Sequence, residues 1–186
     1  ILFSYKAIMD REFKFDIGRA IPLTIEKSVE TDGDFSLNEK YFYFSSNREG
    51  GNYDIYLRDL TDITTVRITT HPARDTHPVV SPNGKFLAFV STREDPEGDI
   101  YVVKLDSEEI IDDSKSDQKK TYSVDGDARN LTQYQNPSGG TVMTLRDSSP
   151  CWSPDGKLIV FSSERGGKDD NLWIMERDGG NLRQLT

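Results

Sequence analysis

An all-β fold built of β-propeller blades is predicted by three observations. One block of residues with fixed spacings occurs three times; its apolar runs are short and rich in β-branched and aromatic residues; and turn formers bracket every run. The segments SLNEKYFYFSSNREGGNYDIYL from Ser36, SPNGKFLAFVSTREDPEGDIYV from Ser81 and SPDGKLIVFSSERGGKDDNLWI from Ser153 align without a gap. Phe44, Phe89 and Phe161 share one offset, followed by Arg48, Arg93 and Arg165, by Asp54, Asp99 and Asn171, and by Tyr56, Tyr101 and Trp173. The separation of Ser36 from Thr69 equals that of Ser153 from Thr186, and each threonine closes a short strand, VRIT or LRQLT. The uninterrupted repeat is about 45 residues long, a length shared by four-stranded blades and two-helix repeats.

The elements choose between these. Strand A is read at PVV and PCW, innermost in the blade, followed by an S-P-[DN]-G turn. NG and DG are strong hairpin signals, because the turn requires positive φ, which Gly and Asn adopt at little cost. Strand B is KYFYF, KFLAFV or KLIVF; its continuous apolar character fits a middle strand covered on both faces by neighbouring blades. A Gly-rich turn leads to strand C at YDIYL, GDIYVV or NLWIM, and a polar turn such as RDGGN leads to the outer strand D. IPLT, ending at Thr24, stands as far before Ser36 as Thr69 stands before Ser81, so it reads as strand D of an earlier blade.

Residues 1–24 are therefore expected to hold the end of a preceding blade (strands C and D), with one blade each in 25–69, 70–132 and 133–186, all in one propeller domain. The second blade carries a long acidic C–D insertion, SEEIIDDSKSDQKKTYSVDGD, and YQNPSGGTVMTLRD lengthens the following D–A connection. Three full blades and part of a fourth are fewer than most propellers close with, so an incomplete or half propeller is expected.

Composition narrows the function classes. The formal charge of −9 argues against a broad electrostatic grip on nucleic acid or anionic lipid, and the longest apolar stretches are far too short to span a bilayer. Cys151 is the single cysteine, which excludes an internal disulfide; beside Trp152 it is expected to be a small buried hydrophobe. Ile1 rather than methionine opens the sequence, so localisation is not readable from its start.

RITTHPARDTHPVVSPNGKFLAFVSTREDPEGDIYVV and LRDSSPCWSPDGKLIVFSSERGGKDDNLWIM, with its closing RQLT, resemble the TolB-like, WD-repeat-related propeller repeats. The first unit departs most, with Leu37, Asn38 and Glu39 in place of P-D-G and Glu30 in place of the aspartate. The resemblance spans about residues 24 to 186. It implies a non-enzymatic protein–protein interaction or scaffold module, periplasmic or associated with the bacterial cell envelope. The same blade also occurs as the accessory propeller of prolyl oligopeptidase-like and tricorn-like peptidases, which is the alternative reading, and fold alone does not choose between them.

Residues that could carry chemistry are few. His71 and His77 lie six apart in THPARDTHP; with Asp75 they could ligate a metal, but no Cys or third His assists, and loop polarity accounts for them. No G-x-S-x-G elbow and no phosphate-binding P-loop occurs, so neither catalytic residues nor a cofactor is expected. Arg48, Arg93 and Arg165, with Asp75 and Asp147 before strand A, recur in the manner of structural ties that fasten the Gly-rich turn to a neighbouring strand or loop. The alternative is that they ring the channel mouth with His71, Arg74 and His77 as a docking surface for a protein partner, since B–C and D–A loops share one face. Self-association to complete the ring is a further expectation.

Overall fold

The computed structural model describes residues 22–25, 27–105, 127–134, 144–167 and 169–186. Strands form where the apolar runs predict them, and they are named β1 (Glu30–Phe35), β2 (Tyr41–Ser46), β3 (Asp54–Asp59), β4 (Thr65–Arg67), β5 (Asp75–Val80), β6 (Phe86–Ser91), β7 (Asp99–Lys104), β8 (Arg129–Asn130), β9 (Asp147–Trp152), β10 (Leu158–Ser163), β11 (Asn171–Glu176) and β12 (Arg183–Gln184). They make three four-stranded antiparallel sheets, β1-β2-β3-β4, β5-β6-β7-β8 and β9-β10-β11-β12, here called blades 1, 2 and 3. Of the earlier blade expected at residues 1–24, only 22–24 are described, and these form no strand; both insertions lie largely outside the described residues. No helix among the described residues is long and apolar enough to cross a membrane.

The aligned sequence columns become cross-strand partners. Phe44 faces Tyr56, Phe89 faces Tyr101 and Phe161 faces Trp173, so one aromatic pair marks the same flank of each blade. Period-two alternation gives each sheet two faces, and blade 2 packs through both. Leu87, Phe89, Tyr101 and Val103 of blade 2 pack with Tyr43, Ile55, Leu57 and Ile68 of blade 1, whereas Ala88, Val90, Ile100 and Val102 pack with Ile159, Phe161 and Met175 of blade 3. Ile55 and Ile100 are fully buried by the following blade; the equivalent Leu172 is 46% exposed on the outer flank of blade 3.

Each A–B turn is built by the repeat serine. Ser36, Ser81 and Ser153 donate to the side chain of Asn38, Asn83 or Asp155 and accept the backbone N–H of Tyr41, Phe86 or Leu158. Gly84 and Gly156 take the left-handed position with φ of 70° and 68°, and blade 1 makes the same turn although Glu39 must hold φ at 57° there. A side-chain-bearing residue is strained in that region. Strand A also carries one left-handed residue per blade, Asp32, His77 and Ser149, each at a bulge against strand B.

Cys151 departs from expectation. It is exposed rather than buried, because strand alternation turns it outward while Trp152 turns into the junction with blade 2. Its thiol lies 3.7 Å from the Trp152 carbonyl.

Glu39→Gly should stabilise the chain by about 0.5–1 kcal/mol, since it relieves a left-handed L-residue at a turn the other blades make with glycine. Urea unfolding measures this, and a lower midpoint for the variant would contradict the turn assignment.

Candidate functional site

The B–C turns and D–A connections come together at one end of the blades. Asn52, in the first B–C turn, donates its amide to the carbonyls of His71 at 3.0 Å and Ala73 at 2.8 Å, which fixes the D–A connection that follows. Arg74 lies over the Tyr53 ring at 4.8 Å, and its backbone N–H bonds the Thr92 hydroxyl of the next B–C turn. At the second junction Asp95 accepts the N–H of Leu145, and Arg146 pairs with Glu164 and Asp170. The described parts of these turns and connections therefore share one face.

Beneath it runs the repeated framework. Arg48 pairs with Glu30, Arg93 with Asp75 at 2.8 Å and Arg165 with Asp147, each pair separated by 18 residues. Each guanidinium also lies over the aromatic pair of its own blade: Arg48 on Phe44 and Tyr56, Arg93 on Phe89 and Tyr101, Arg165 on Phe161 and Trp173, all within 5.6 Å. The partner is the first residue of strand A in the same blade rather than a neighbouring one. Blade 3 extends the tie across a junction, where Arg165 donates to the Thr132 carbonyl of blade 2 at 3.1 Å. The Arg93 and Arg165 side chains are 8% exposed and their carboxylates 0%, so these two arginines have little surface to offer a partner.

A second framework joins strands C and D. Thr69, Thr132 and Thr186 accept the N–H of Ile55, Ile100 and Leu172 through their hydroxyls, and Arg67 and Asn130 reach the carboxylates of Asp54 and Asp99. Burial raises the Asp75 and Asp147 carboxyls above the ordinary value of 3.8, while the arginine and nearby hydroxyls pull them back. Asp99 is likewise raised by burial, against the hydrogen bond from Asn130. Burial and the charge of Glu49 push the Tyr56 phenol up to about 12.

What remains accessible is narrower than the six residues singled out from sequence. His71 is occupied locally, its Nδ1 accepting the Ala73 N–H. Arg74 is exposed apart from its contact with Tyr53. His77, half-buried at the strand A bulge, points its Nε2 toward the Asp32 carboxylate of blade 1 at 3.6 Å. Asp32 and Ser149 occupy the equivalent bulge positions and were not identified from sequence; the signal was their common offset, four residues before each repeat serine. Among the described residues no three His, Cys, Asp or Glu side chains are grouped to hold a metal ion.

Four-stranded blades packed face to face, with one ion pair and one aromatic pair repeated in register, define a TolB-like β-propeller fold. TolB from Acinetobacter baumannii superimposes with a TM-score of 0.61 at 20% identity, over 88% of this chain and 34% of that one. A puromycin-hydrolyzing peptidase of Mycobacterium tuberculosis does so with a TM-score of 0.58 at 14% identity, over 86% of this chain and 23% of that one. In sequence, the chain is 29% identical over 115 residues to the uncharacterized peptidase YuxL of Bacillus subtilis, a match covering 60% of this chain and 14% of YuxL. The chain therefore spans a minor part of each of these proteins. No family model matches it.

Arg93→Ala leaves the Asp75 carboxylate buried without its cation and should cost about 3–5 kcal/mol in urea unfolding, with Arg93→Lys in between because ammonium lacks the planar fork. A loss under about 1 kcal/mol would show the pair to be solvated. Titration gives a second check at Asp147. Its folded pKa lies above the unfolded one, so its protonated form contributes stability in full below 3.8, and that contribution is lost as pH rises through the folded value. Asp147→Asn should flatten this part of the stability curve, so unfolding midpoints measured upward from pH 3.8 should fall more steeply for the wild type than for the variant.

Proposed function

We propose that this chain belongs to a non-enzymatic propeller of the bacterial cell envelope that docks a protein partner through the face formed by its B–C turns and D–A connections. One observation carries the reading. Framework positions keep one chemical type from blade to blade, a carboxylate, an arginine and an aromatic pair, whereas the strand A bulge position changes from Asp32 to His77 to Ser149 with the same left-handed backbone. A scaffold held constant under varied surface groups is the usual design of a repeat protein that binds along a surface. Arg74 adds a cation held over Tyr53 with its edge toward solvent. The periplasmic setting follows from the likeness to TolB and stands with it. The outer flanks, with Phe35 on blade 1 and Leu172 on blade 3, are where further blades or a second copy would pack.

A second reading, an accessory propeller beside a peptidase domain, is favoured by YuxL and by the puromycin-hydrolyzing peptidase. The parent gene beyond residue 186 separates the two: a nucleophile elbow followed by Asp and His supports the peptidase, and further S-P-D-G units support the docking module.

A photo-crosslinking residue placed at Arg74 or His77 should capture a defined partner that one placed at Lys157, on the opposite end of the blades, does not. Arg74→Glu combined with His77→Ala should reduce affinity for that partner at least about tenfold. An unchanged partner profile would overturn this choice of face.

A further inference from the structure

The two junctions between blades can be compared position by position, and they differ. At the second, Trp152 of blade 3 reaches into blade 2, donating its indole N–H to the Val79 carbonyl at 3.0 Å with its ring centroid 6.5 Å from that of Phe86. Arg177 sets its guanidinium over the same Phe86 ring, 4.3 Å from the centroid. The turn closes the mouth: a Cβ built on Gly156 would stand 3.5 Å from Pro82.

At the first junction the positions of Trp152, Arg177 and Phe86 are held by Val80, Leu105 and Tyr41. An indole has become an isopropyl group and a guanidinium an isobutyl group. A Cβ on Gly84, the counterpart of Gly156, would meet nothing within 4 Å. The Asp34 carboxylate accepts the Val80 N–H at 2.9 Å, so the blades stay fastened here without the indole. A cleft of about 480 Å³ remains, floored by Tyr43 and Leu57, walled by Tyr41 and Leu105, and rimmed by Asn38 and Lys85. That volume falls in the range of ligand sites.

The second junction shows what such a space accepts, namely an indole ring with a cation beside it. Tyr41 offers an aromatic face to such a cation, and behind it, outside the cleft lining, stand Asp59 and Asp62, whose charges add to burial in raising its phenol. Lys85 is the opposing charge on the rim. We infer that the cleft between blades 1 and 2 binds a segment of a partner protein that presents an aromatic side chain next to an arginine or lysine. The site is at the A–B end of the blades, opposite the face proposed above, and does not rest on that reading.

The probe is the dipeptide amide Arg-Trp, titrated into the full chain by ¹H–¹⁵N NMR with Glu-Trp amide as comparator. Saturable shifts are expected at Asn38, Lys85 and Leu105, with Glu-Trp weaker by about threefold or more. Lys85→Glu, at an exposed position, should tighten Arg-Trp by a similar factor. Val80→Trp with Leu105→Arg, which rebuilds the closed junction, should weaken it at least about tenfold. The inference is overturned by shifts that do not saturate, by equal affinity for the two dipeptides, by indifference to Lys85→Glu, or by binding that appears only after deletion of residues 106–126, which would assign the cleft to the chain's own segment.

Discussion

Every blade is built round one ion pair, buried in blades 2 and 3 and partly exposed in blade 1. Strand A is the innermost strand, it hydrogen-bonds only to strand B within its sheet, and its ladder is broken by a bulge at Asp32, His77 or Ser149. The segment before the bulge would be poorly held by backbone pairing alone. The carboxylate of Glu30, Asp75 or Asp147 stands at the start of that segment and is clamped by an arginine from the B–C turn. Desolvating both charges is expensive, and the cost is met only by good geometry and added contacts. Two aromatic faces under each guanidinium supply such contacts, which a lysine ammonium would use less well.

This clamp also explains the order of the junctions. The aromatic pair and its arginine face the preceding blade, so stacking the next sheet buries the charges further and adds the Arg165 bond to Thr132. Backbone bonds from Asp75 to Tyr53 and from Asp147 to Gly98 set the height of one blade against the next. With the inner strands fixed in this way, the bulge residues can vary without moving the scaffold. That separation of constant frame from variable surface is what the functional reading rests on.

Much of the fold was legible in the sequence because the repeat aligns residues whose roles are geometric. Phe44 and Tyr56, Phe89 and Tyr101, Phe161 and Trp173 share columns because they face one another, and the S-P-[DN]-G turns were legible because positive φ selects glycine. Less of the site was legible. Recurrence marked Arg48, Arg93 and Arg165 as ties but did not identify the partner, since the pairing of strand A with the B–C turn emerges only after the sheet has formed. Left-handed residues at Asp32, His77 and Ser149 gave no compositional signal, because a bulge rather than a glycine places them there. The exposure of Cys151 and the inward turn of Trp152 depend on strand phase, and a one-residue change of register exchanges the two faces.

The central claim is that the arginine and its carboxylate act as a unit. A double-mutant cycle at Arg165 and Asp147, with Arg165→Met, Asp147→Asn and both together, tests it most directly by urea unfolding. The account predicts that each single change is costly because it strands the other group in the interior, and that the double variant is more stable than the sum of the two losses by at least about 1 kcal/mol. Losses additive to within about 0.3–0.5 kcal/mol would contradict it.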